Sequence, residues 1–180
     1  MKGYIVRLID SLQSYIQDVQ KKMEKDLVYF YRGQCNTFRP VPSVFRDGFM
    51  YKEDVLYHEL VLRCPDLFRN MTYLDTLVNM QHYGLPTRLL DVTTNPLVAL
   101  YFACKDYTGS YHENGRIYMY AIKPDDVAYS DSDRVLMLSC LATLSTKDKN
   151  AIIKIIYDEI KKEKVEISKV SNNKYPAPIE

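Results

Sequence analysis

The sequence has no tryptophan and few of the residue patterns that announce a familiar active site. Its six glycines are scattered, so neither a dinucleotide-binding turn nor a phosphate-cradling loop can be built from them. The three histidines, His58, His82 and His112, show no metal-binding spacing, and no metal is expected. The four cysteines, Cys35, Cys64, Cys104 and Cys140, stand too far apart to form paired ligand sets. They read as free core thiols of a reducing compartment. The longest apolar run, Leu97–Cys104, is far below the ~20 residues a membrane helix needs. Arg7 and Asp10 interrupt the apolar N-terminus, so no signal peptide is visible. A formal charge of +1 removes any global attraction to nucleic acid or anionic lipid, leaving only local basic patches. These absences point to a soluble cytoplasmic protein without a membrane partner.

What is present suits one globular domain spanning residues 1–180. A chain of this length can bury roughly 70% of its unfolded surface. With 47% hydrophobic and 26% charged residues, the chain falls outside the disordered class. Sixteen tyrosines are an unusual share, and composition alone gives them no function.

Periodicity supplies the elements. Residues 4–23 place Tyr4, Ile5, Leu8, Leu12, Tyr15 and Val19 at helical spacing. Leu27–Arg32 is a short aromatic and β-branched run that reads as a strand. Asn36–Gly48 reads as a connector, and Lys52–Cys64 and Thr72–His82 as helices, the second stopped by Gly84 and Pro86. Arg88–Val92 is expected to form a strand. Asn95 before Pro96 suits an N-cap and first helical position for a helix over Leu97–Lys105. Arg116–Lys123 is a clear strand, Arg134–Leu141 is ambiguous between helix and strand, and Lys147–Lys164 is a helix. Helices followed by strand, helix and strand predict an α+β fold, a small mixed sheet with several flanking helices. With three convincing strands, that sheet looks incomplete.

Two segments hold the candidate chemistry. In Tyr31-Arg32-Gly33-Gln34, alternation puts Arg32 on the face of Val28 and Phe30, read here as core residues. An arginine on such a face needs a partner or a cleft, and its planar fork suits phosphate or carboxylate. An internal salt bridge to Asp91 is the structural alternative. Gly33 would allow a turn or a close approach. The second segment, Gln81–Ala103, gathers His82, Thr87, Arg88, Asp91, Thr93 and Asn95 around one turn and one short extended run. His82 could act as acid, base or ligand donor, or simply cap a helix end. Asn95 has the plain reading of a helix cap. A pairing of Cys35 with His82, or of His82 with Asp91, would need those side chains to converge from distant positions.

These segments resemble the FRG domain, a bacterial and phage family named for an aromatic-Arg-Gly motif, here Tyr31-Arg32-Gly33. Arg39-Pro-Val-Pro-Ser-Val-Phe-Arg46, Gln81-His-Tyr-Gly-Leu-Pro-Thr-Arg-Leu-Leu-Asp91 and Asn95-Pro-Leu-Val-Ala-Leu-Tyr-Phe-Ala103 resemble its further motifs. The family is largely uncharacterised, so its name implies no reaction. A weaker resemblance is to mono-ADP-ribosyltransferases, which follow a strand arginine with a polar strand end, an Ala-x-x-Phe-Ala helix and another strand. Tyr31-Arg32-Gly33, Val92-Thr93-Thr94, Ala99-Leu-Tyr-Phe-Ala103 and Ile117–Ile122 match that order. The resemblance implies that NAD or a related nucleotide is bound as substrate, with Arg32 on its pyrophosphate or ribose side and Thr93 ordering the pocket. Those enzymes also use a late glutamate on a core strand. Glu163 and Glu166 fall instead in a polar helical stretch, and a later Gln-x-Gly strand of longer FRG chains is missing. The comparison thus implies either a fragment or a minimal form lacking the last strands. The other reading is a non-catalytic module recognising protein or nucleic acid through Arg39, Arg46 and exposed tyrosines.

Overall fold

The computed structural model describes residues 9–35, 39–105 and 114–162, the last three as backbone. Residues 4–8, His112, Glu163 and Glu166 lie outside that description. The chain is α+β, with a two-stranded antiparallel sheet and seven α-helices among the described residues. It clusters into two compact units, the first from the described parts of Met1–Pro40 with Asp91–Val127, the second from Val41–Leu90 with those of Ala128–Glu180.

The first unit holds α1 (Leu12–Lys22), β1 (Val28–Gln34), α5 (Pro96–Cys104) and β2 (Arg116–Ile122). Helix α1 begins at Ser11, whose Oγ accepts from the Ser14 amide at 3.2 Å, satisfying one of the orphan donors of the first turn. β1 and β2 pair with Tyr31 opposite Met119 and Gly33 opposite Ile117. Tyr15 and Val19 from α1, Tyr29 and Tyr31 from β1, and Ala99 from α5 form the core, with Ile117 and Met119 packed against it. Tyrosine in this core keeps its hydroxyl useful: Tyr15 donates to the Pro96 carbonyl at 2.7 Å, and Tyr29 accepts from the Glu24 amide at 2.7 Å.

This arrangement corrects the sequence reading of β1. The buried residues of β1 are Tyr29 and Tyr31, which share a face with Gly33, while Val28, Phe30 and Arg32 are half-buried on the other. The reason is helix α5. A Cβ on Gly33 would stand 1.6 Å from the Ala99 carbonyl oxygen, and one on Gly115 would stand 2.0 Å from that of Ala103. Two glycines and two alanines let the helix backbone lie directly on the ends of the strands, so the tyrosine face becomes the inside.

The expected strand at Arg88–Val92 does not form. Its neighbourhood makes one isolated bridge, Tyr31 with Thr93, through bonds of 2.6 and 2.8 Å. Pro96 starts α5 only three residues later, leaving no length for a ladder.

The second unit holds α2 (Glu53–Arg63), α3 (Pro65–Phe68), α4 (Tyr73–His82), α6 (Asp133–Cys140) and α7 (Thr146–Lys162). Tyr57, Phe68, Leu77, Met80 and Ala142 form its core, and Leu85 and Leu89 pack on it. Gly84 ends α4 in the left-handed region at φ 84°, and its amide bonds back to the Gln81 carbonyl. The ambiguous run near residue 134 is helical, started by Ser132, whose Oγ accepts from the Val135 amide at 3.4 Å. Among the described residues no helix is long and apolar enough to cross a membrane.

Candidate functional site

The first unit carries a cleft of about 390 Å³ at the end of β1. Tyr31, Arg32, Gly33 and Gln34 supply its strand side, Asp91, Val92 and Thr93 its extended side, and Ala99 and Phe102 its helical side. Each side follows from the packing just described. The glycine at 33 brings α5 against the strand, and the Tyr31–Thr93 bridge holds the extended segment on its other flank.

Arg32 is the cation among the residues that line this cleft. Its Nη1 donates to the Asp91 main-chain carbonyl at 2.7 Å. That bond fixes the side chain but leaves its charge unanswered, because the acceptor is a neutral oxygen. Its Nε is buried and has no hydrogen-bond partner among the described residues. A guanidinium carries five N–H donors, and leaving a buried one unmade costs about 1–3 kcal/mol. The salt bridge between Arg32 and the Asp91 carboxylate, the structural alternative, is not what forms.

Tyr31 is 2% exposed, and its hydroxyl too has no hydrogen-bond partner among the described residues. Burial holds that hydroxyl's pKa above the usual value for tyrosine, with Tyr29 adding to the effect. It stays a neutral phenol. Thr93 accepts the Asn95 amide at 3.1 Å through its Oγ1, and Asn95 accepts the Leu97 amide at 2.9 Å through its Oδ1. Asn95 is therefore the cap of α5, and Thr93 shapes the turn before it.

His82, Thr87 and Arg88 lie in the second unit, apart in the chain's organisation from the seven other candidates. Thr87 is 1% exposed; its Oγ1 donates to Gln81, its amide to Ser43 Oγ at 3.1 Å, and its carbonyl accepts the Val44 amide at 3.1 Å. It ties the segment after α4 to residues 43 and 44. Arg88 grips Glu53 with two bonds, Nε at 2.8 Å from Oε1 and Nη2 on Oε2. Lys149 reaches the same Oε2 at 2.7 Å, so two cations converge on one carboxylate that is 5% exposed. The described contacts of Thr87 and Arg88 are those of a scaffold. His82 is exposed at the end of α4, edge-on to the Tyr83 ring at 5.4 Å. Arg46 turns back onto the Val41 carbonyl at 3.1 and 2.6 Å, clamping its own loop.

Sequence reasoning missed Cys35, Val92, Ala99 and Phe102 as cleft residues, and Glu53 and Lys149 as partners of Arg88. Ala99 and Phe102 stand three apart on a helix, which would have put them on one face. Nothing local marked Glu53, since an acid in the first turn of a helix has an ordinary reading.

Residues 28–111 match the model of the FRG domain family. That span includes Tyr31-Arg32-Gly33 and the whole of Gln81–Ala103, and it supports the FRG resemblance on the residues that suggested it. No curated protein and no solved structure matches the chain.

Proposed function

We propose that this FRG-type domain binds NAD or a related nucleotide in the cleft at the end of β1, in the manner of an ADP-ribosyltransferase-like domain. The observation that carries the reading is Arg32: a half-buried guanidinium lining the cleft, held by a main-chain oxygen, with no carboxylate paired to it among the described residues. Such a group attracts phosphate or carboxylate more strongly than an exposed arginine, because the surroundings screen it less. Tyr31, Gly33, Gln34, Asp91 and Thr93 complete the proposed site, and Asn95 sets the start of the helix beside it. The proposal is one of binding; no residue is assigned to break a bond.

Thermal unfolding tests it. Millimolar NAD should raise the melting temperature of the chain, since a ligand that binds only the folded state stabilises it by mass action. Arg32→Ala should abolish the shift. Absence of a shift for the unaltered chain would remove the reading.

A further inference from the structure

Three features of the cleft bear on which part of a nucleotide it can hold. Its volume of about 390 Å³ is at the small end of the range for ligand clefts. Among the described lining residues Arg32 is the one cation, so a second phosphate would find no second cation there. The third feature is the apolar wall. Val92 is 45% exposed and Phe102 is 42% exposed, although both line the concavity. The Phe102 ring, edge-on to Tyr101 at 5.4 Å, is an aromatic surface on the cleft wall, and stacking of a nucleic-acid base on such a ring is worth about 1–3 kcal/mol.

From these we infer that the cleft is built for a mononucleotide-sized ligand, one phosphate at Arg32 and one flat ring against Phe102 and Val92. A dinucleotide would lodge only one of its halves. The inference rests on the Arg32 cleft being the ligand site proposed above, and it specifies what that site takes.

Titration calorimetry of the intact chain with AMP, nicotinamide mononucleotide, NAD and ribose 5-phosphate separates the two claims. The tighter mononucleotide should bind within about threefold of NAD, and ribose 5-phosphate about tenfold more weakly, the loss of one stacked ring. Phe102→Leu should cost the ring-bearing ligands about tenfold, leave ribose 5-phosphate unchanged, and be reversed in Phe102→Tyr. NAD binding more than about tenfold tighter than both mononucleotides would overturn the inference. So would an undiminished preference for ring-bearing ligands in Phe102→Leu. If Arg32→Ala leaves every affinity unchanged, or if no ligand binds, the underlying assignment of the site falls as well.

Discussion

Gly33 shows how much one missing side chain can determine. The contact of 1.6 Å that a Cβ would make is with a helix carbonyl, which cannot rotate away as a flexible side chain could. Gly33→Ala should therefore destabilise the chain by about 3 kcal/mol, the upper end of overpacking, read as a lower denaturant midpoint at constant slope. The sequence showed the glycine but not its purpose. Strand alternation correctly set Arg32 apart from Tyr31, yet it could not say which face was inside, because apolar side chains occupy both. Tyr15 offers a second residue-scale test. Burial, with Tyr31 nearby, pushes its phenol up to about 12 from an ordinary 10. A raised folded pKa means that stability is fully present below the unfolded value and is lost as pH rises through the folded one. The melting temperature should fall between pH 10 and 12, with a shallower fall in Tyr15→Phe. That variant also loses the bond to Pro96, at a cost of about 1 kcal/mol.

At the scale of elements, α4 and α5 were legible because they carry their own punctuation. Thr72 caps α4 by accepting the Asp75 amide at 3.1 Å, Gly84 ends it, and Asn95 with Pro96 opens α5. The failed strand at Arg88–Val92 is a case of tertiary contacts overriding composition. Thr87 and Arg88 are engaged with residues 43, 44, 81 and 53; Asp91 meets β1 through the Arg32 side chain, and Thr93 bridges its backbone. The same contacts explain why Arg88 looked like a site residue: a half-buried arginine needs an acid, and the acid stands 35 positions earlier in the chain. Glu53→Gln should cost about 3–5 kcal/mol, because it strands Arg88 and Lys149 together in a half-buried place. Lys149→Met should cost much less, since Arg88 keeps its carboxylate. Urea unfolding of the two variants side by side checks this order.

For the whole molecule, length, composition and element order were enough to give the α+β class, which local pattern can carry. The division of the chain into two compact units was not legible, because no linker composition marks Pro40–Val41 or Leu90–Asp91. The cleft was half legible. Its polar residues stood out as a motif, whereas Val92, Ala99 and Phe102 look like any apolar residues until α5 is laid on the strand. The central claim is that Arg32 holds its charge ready for an anionic ligand, and the side-chain Nε–H of that residue reports on it directly. In a ¹⁵N-labelled sample its cross-peak can be assigned by its loss in Arg32→Lys, then followed as NAD or a mononucleotide is added. The account predicts that this resonance moves in step with ligand binding and that its exchange with water slows. An Nε–H signal unmoved at ligand concentrations that shift other resonances would contradict it.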